Sequence, residues 1–160
     1  MKLSNNLWLS EVIKSNTAVR RGIDNNPTEL HISNLTYIAE KIFQPIREHF
    51  GSAIHVSSGY RSKGLNEAIG GSKISFHSHG MALDLDMDGR SNKITNADIF
   101  NYIKENLPYS ELIWEFGTDE NPNWVHVAIA KGREDEKVTK IAYKHNYSKT
   151  QYKAWDKKLK

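Results

Sequence analysis

The chain has 160 residues, 38% hydrophobic and 26% charged, an ordinary globular composition with enough length for one packed core. It has no cysteine, which excludes disulfides, thiolate metal sites and thiol nucleophiles, so any metal must be held by His, Asp or Glu. The net charge of +3 is uneven: from Lys131 onward ten Lys/Arg stand against four Asp/Glu (+6), whereas residues 1–130 hold twelve basic and fifteen acidic side chains (−3).

The N-terminal segment Met1 to Ser10 has no uninterrupted apolar run, and no stretch elsewhere could span a membrane. The expectation is synthesis in a cytoplasm without a signal peptide. Residues 10–15 can form a short helix with Ser10 as N-cap, and a polar connection runs from Ser15 to Pro27. Leu30, Leu35, Ile38, Ile42, Phe43 and Ile46 recur at helical spacing; Pro45 should end or kink that helix, and Gly51 closes it.

Ala53 to Ser58 alternates as a strand, and Gly59-Tyr60-Arg61-Ser62 turns into a short helix ending near Gly70-Gly71. Further strands are expected at 80–87, 110–116 and 124–131, with a helix at 96–106 capped by Thr95. This order predicts an α+β fold: a single compact domain, residues 1–132, with helices packed on a mostly antiparallel sheet. Residues 133–160 read as a basic C-terminal extension, helical or partly disordered.

The chemistry concentrates in three runs. In Trp124-Val125-His126-Val127-Ala128-Ile129, alternation puts Val125, Val127 and Ile129 on one face and His126 on the other, beside the small Ala128. In Met81-Ala82-Leu83-Asp84-Leu85-Asp86, the carboxylates of Asp84 and Asp86 share the face opposite Leu83 and Leu85. A solvated face would explain them, and so would a metal on a buried one. Directly before lies Ser75-Phe76-His77-Ser78-His79-Gly80, where Gly80 permits a sharp backbone path. A catalytic zinc needs three protein ligands and one open position. His77 and His79 are competing candidates, and spacing alone does not choose between them.

These runs, together with Ser57-Ser58-Gly59-Tyr60-Arg61-Ser62, Leu65-Asn66, Ile69-Gly70-Gly71-Ser72 and Leu112-Ile113-Trp114-Glu115-Phe116-Gly117, resemble the zinc-dependent D-alanyl-D-alanine carboxypeptidase family. That family includes peptidoglycan endopeptidases and phage endolysins, and the likeness covers roughly residues 7–130. The resemblance implies one Zn2+ held by His77, Asp84 and His126, which demotes His79 and Asp86. It places Ser75 at the substrate's peptide end and Arg61 near the scissile carbonyl; Tyr60 either lines the same cleft or is a packed aromatic.

The general base departs from the family pattern. Many members carry Glu or Asp three residues before the last His ligand, where this chain has Asn123; some have His two residues before it, where this chain has Trp124. Glu115 is the first candidate, followed by Asp119 and Glu120. The implied function is a zinc metallopeptidase cutting peptidoglycan stem peptides, as D,D-carboxypeptidase or as L,D- or D,D-endopeptidase. It would work as a monomer that reaches the cell wall after holin release or virion delivery. The rival is a non-catalytic peptidoglycan-binding or structural module that keeps the fold. A nucleic-acid role, suggested by Tyr143, Tyr147, Tyr152 and Trp155 in the basic tail, leaves the His/Asp cluster unexplained and is not expected; nor is membrane insertion.

Overall fold

The computed structural model describes residues 1–145 and 148–155. Short strands β1 (Lys2–Ser4) and β2 (Leu7–Trp8) pair antiparallel and lead into α1 (Leu9–Ile13) and α2 (Asn16–Arg21). Then come α3 (Glu29–Ile38), a π-helical turn (Ala39–Phe43) and α4 (Gln44–Phe50). The second half holds β3 (Val56–Ser58), α5 (Lys63–Ala68), a 3-10 turn (Phe76–His79), β4 (Ala82–Leu85), α6 (Asn96–Asn106), β5 (Glu111–Glu115), β6 (Trp124–Ala128), β7 (Val138–Tyr143) and β8 (Gln151–Ala154). Strands β3 to β8 form one sheet in the order β3-β4-β6-β5-β7-β8, antiparallel except for the parallel β5–β7 pair. The molecule is therefore the predicted single α+β domain with a mostly antiparallel sheet.

Local chemistry accounts for the helices. Thr95 accepts from the Asp98 N–H (3.0 Å) while the Asp98 carboxylate accepts from the Thr95 N–H (2.9 Å), a capping box that starts α6 as expected. Ile99, Phe100 and Ile103 then form its buried stripe. Pro45 does not end the long helix, which continues through the π turn into α4. A proline ring crowds the carbonyl four residues back, and the π turn widens the helix just there, leaving Pro45 in the first turn of α4 where no N–H is needed. Gly51 closes the helix at φ 61°.

Two features differ from the sequence expectation near the N-terminus. Helix α1 begins one residue early, with the Glu11 carboxylate accepting from the Trp8 N–H (2.8 Å) instead of a Ser10 cap. The polar connection contains α2, capped by the Ser15 hydroxyl on the Ala18 N–H (3.1 Å) and ended by Gly22 at φ 62°.

One sheet face meets the helices. Leu83, Leu85, Leu112, Trp114, Val125, Val127 and Ile141 join Val12, Leu35, Ile38, Ile46 and Phe100 in a single apolar core. The expected faces of β4 and β6 are thus observed, with Asp84 and His126 opposite the core. The C-terminal extension differs from the expectation: among its described residues Val138–Tyr143 and Gln151–Ala154 are strands of the sheet, and none is helical. Alternation explains this, since Ile141 enters the core while its neighbour Lys140 faces the other way. Trp155 anchors the end, its ring 4.6 Å from Phe100 and 5.0 Å from Trp114. Tyr147 lies outside the described residues. Among the described residues no helix is long and apolar enough to cross a membrane.

Candidate metal centre

Asp84 on β4 and His126 on β6 are directly opposed in the ladder, so their side chains leave the same face side by side. His77 comes from the 3-10 turn just before β4. Ser75 caps that turn, its hydroxyl accepting from the His77 N–H (3.3 Å). Gly80 ends it at φ 70°, and a Cβ there would lie 2.6 Å from the His31 carbonyl oxygen, so glycine is required for both reasons. In a helix of about three residues per turn, His77 and His79 point in different directions. His77 is 1% exposed, whereas His79 faces solvent and uses only its carbonyl, which accepts from Asn34.

The three ligand atoms form a small triangle. His77 Nε2 lies 3.2 Å from Asp84 Oδ1 and 3.2 Å from His126 Nδ1, and His126 Nδ1 lies 3.1 Å from Asp84 Oδ1. Tetrahedral zinc with bonds of about 2.0–2.1 Å requires ligand–ligand edges of about 3.3–3.4 Å, so the donor set fits a zinc-sized ion.

The tautomers make the fit stronger. His77 Nδ1 is 2.7 Å from the Gly59 carbonyl, which can only accept, so the proton sits on Nδ1 and the Nε2 lone pair points inward. His126 Nε2–H donates to Glu111 Oε1 (3.1 Å), which turns the Nδ1 lone pair inward as well. With the ring protons on those outer nitrogens, three electron-rich atoms converge, an arrangement that a cation could satisfy. Among the described residues no other His/Cys/Asp/Glu group of this kind is present.

Electrostatics agree. Where the inner nitrogens carry protons as well, burial alone would raise the Asp84 pKa, but the His77 charge and hydrogen bonds from both imidazoles hold it well below the usual carboxylate range. Burial would lower that of His126, yet hydrogen bonds to Asp84 and Glu111 raise it. For His77 burial prevails, and its pKa is lowered. The site is built to hold positive charge.

The remaining predicted residues divide. Arg61 lies at the rim with Nη2 3.9 Å from Asp84 Oδ2, and its buried Nε has no hydrogen-bond partner. Glu115, 8% exposed at the end of β5, shares the sheet face of His126; burial pushes its carboxyl up to about 7, helped by Asp84 and Glu111 against His126 and Arg61. Tyr60 is 6% exposed and packs its ring 4.8 Å from His31, the position of a core aromatic. It also borders a cavity of about 380 Å³, shared with Lys14, Ser57 and Arg61, of which both Ser57 and Arg61 contact Asp84. Asp119 and Glu120 sit exposed on the β5–β6 loop, and exposed Asn123 donates its N–H to the Glu115 carbonyl (2.9 Å). Asp86 accepts from Asn96 (3.2 Å) and the Asp88 N–H (3.0 Å), outside the triangle.

Sequence reasoning missed Glu111 and Gly59, the partners that orient the imidazoles. Alternation places Glu111 on the face of Glu115, but its contact with His126 depends on the β5–β6 register. No curated protein matches the chain. The Peptidase M15 family model matches residues 5–128, a span that holds every corner of the triangle and the partners that aim them. By that match the chain belongs to the M15 peptidases, the zinc D-alanyl-D-alanine carboxypeptidase family that its motifs resemble.

Proposed function

We propose that the protein is a zinc peptidase that hydrolyses peptide bonds in peptidoglycan stem peptides, with the metal held by His77, Asp84 and His126. The observation that carries this reading is the triangle of inward lone pairs with edges of 3.1–3.2 Å. A zinc ion there would supply Lewis acidity, polarising the scissile carbonyl and making a water acidic enough to attack at neutral pH.

The chain's own residues do the rest. Glu115 is the general base: a buried carboxyl near 7 can take a proton from water and return it to the leaving amine. Arg61 offers its unpartnered donors to a substrate carbonyl or carboxylate, and its long contact with Asp84 leaves it free to do so. Ser75, already accepting from His77, keeps its hydroxyl proton for the peptide end of the substrate. Tyr60 shapes the neighbouring cavity wall. The peptidoglycan target and action at the cell wall come from the resemblance in the motif runs.

Asn123 favours the second reading, a binding module without turnover, because an amide cannot serve as base at the position where many relatives place an acid. The two readings separate on purified peptidoglycan with mass spectrometry of the products. Wild type should release defined fragments whose masses name the bond. His126→Ala should lose metal and activity, and Glu115→Gln should lose activity with metal retained. Zinc binding without any cleavage by wild type would leave the binding module as the function.

A further inference from the structure

The β7–β8 hairpin lies beyond the residues that match the family, yet it reaches the metal centre. In register, His126 on β6 pairs with Ile113 on β5, and Ile113 pairs with Lys140 on β7. Two strand spacings, about 9–10 Å, separate the His126 and Lys140 backbones, too far for direct contact with the imidazole's ligand edge. Glu111, two residues before Ile113 on the same face, bridges the gap. One carboxylate oxygen accepts from His126 Nε2 (3.1 Å), and the other accepts from Lys140 Nζ (2.8 Å).

We infer that Lys140 is a positioning residue for the metal centre: by pinning Glu111 it fixes the ring orientation and tautomer of His126, so that the C-terminal hairpin is a working part of the site. Without the ammonium, one Glu111 oxygen is unanchored and the carboxylate can rotate away from Nε2. The imidazole then loses the constraint that turns Nδ1 inward. The hairpin is held independently on the other face by Ile141, 1% exposed, and by Trp155 against Phe100 and Trp114. Lys140 itself is half-buried on the face opposite the core residue Ile141, with the Tyr152 ring 5.8 Å from its Nζ. Its removal should therefore affect the metal centre more than the fold.

The inference rests on the metal reading, and the experiment keeps the two apart. Zinc affinity is measured by chelator competition on the full chain, with the visible spectrum of the cobalt-substituted protein as a reporter of ligand geometry. Metal-free melting checks folding. Glu111→Ala should weaken zinc about 10- to 100-fold, the usual cost of losing a partner behind a metal ligand. Lys140→Met should weaken it about 2- to 5-fold, as expected for a partly exposed ion pair, and shift the cobalt spectrum in the same sense as Glu111→Ala. Lys140→Arg should restore both. In the Glu111→Ala background, Lys140→Met should add nothing, because its effect passes through Glu111. An unchanged affinity and spectrum in Lys140→Met, or an equal loss in the Glu111→Ala background, overturns the inference while leaving the metal reading intact. If His126→Ala binds zinc as tightly as wild type, the metal reading has failed first.

Discussion

On β4, Leu83 and Asp84 are neighbours in sequence and opposites in role. Leu83 is 0% exposed and joins the apolar core, where full burial of such a side chain stabilises by about 1.5–3 kcal/mol. Asp84 crosses to the other face, where burial of its charge is costly and is offset by His77 and His126. The same alternation separates Val125 and Val127 from His126 on β6, and Leu112 and Trp114 from Glu111 and Glu115 on β5. Across these strands, one face supplies stability and the other holds polar groups that need each other or a cation. Function is placed where the sheet can bear the cost because its reverse side is packed.

Substitution of the two β4 neighbours breaks the comparison most directly. Asp84→Ala should lower peptidoglycan hydrolysis by more than about 10³-fold, since the metal's contribution to the transition state is several kcal/mol. Metal-free melting should move far less. Leu83→Ala should do the reverse: about 2–5 kcal/mol of stability lost, with activity per folded molecule retained at low temperature. Denaturant titration and zinc content on both variants decide the matter. If Leu83→Ala abolished zinc binding in a folded protein, the two faces would not be separable.

Glu115 sharpens the contrast because one group is expected to help catalysis and harm stability. Glu115→Gln should lower kcat by about 10²–10⁴-fold, the usual contribution of a positioned acid–base group. Wild-type kcat/KM should rise with pH along an acid limb at or below about 7, because a cation in the triangle favours the carboxylate. In the metal-free protein the folded pKa lies above the ordinary value of 4.5, so the folded state binds more protons than the unfolded one between these values. Stability then falls as pH rises from about 4.5 to about 7 and levels off above. That move corresponds to roughly 3 kcal/mol at most, so Glu115→Gln should melt higher than wild type at pH 8 and no higher at pH 4. Equal melting points at both pH values would show that Glu115 is already relaxed by water.

The division of faces was legible in the sequence; the contacts behind it were not. Alternation alone assigned Leu83, Val125 and Val127 to the core and Asp84 and His126 away from it. Thr95, read as a cap, marked the start of α6. Spacing could not choose between His77 and His79, because the choice depends on the handedness and tightness of a four-residue turn. Glu111 stayed hidden for a different reason: it meets His126 only through the β5–β6 register, which no local pattern encodes. Helix α2 carried its signals, Ser15 and Gly22, but lacked an apolar stripe to draw notice. In the tail, lysines masked the short alternation around Ile141, and composition suggested a solvated extension where the protein builds two strands of its sheet.

That tail yields the smallest expected effect. Its excess positive charge could attract an anionic cell wall, but truncation after Ala130 is a poor test, since it would also remove Ile141 and Trp155 from the core and Lys140 from Glu111. Charge reversal at exposed positions is cleaner. Lys144 and Lys149 both face solvent, and Lys144→Glu with Lys149→Glu should leave folding and zinc affinity unchanged. Sedimentation with purified cell walls should show weaker binding at low salt, by about 1 kcal/mol or less per charge, and the difference should vanish near 1 M salt, where the screening length is about 3 Å. A loss of the same size at both salt concentrations would mean that these lysines make short-range contacts and that the net charge of the hairpin does not draw the protein to cell walls.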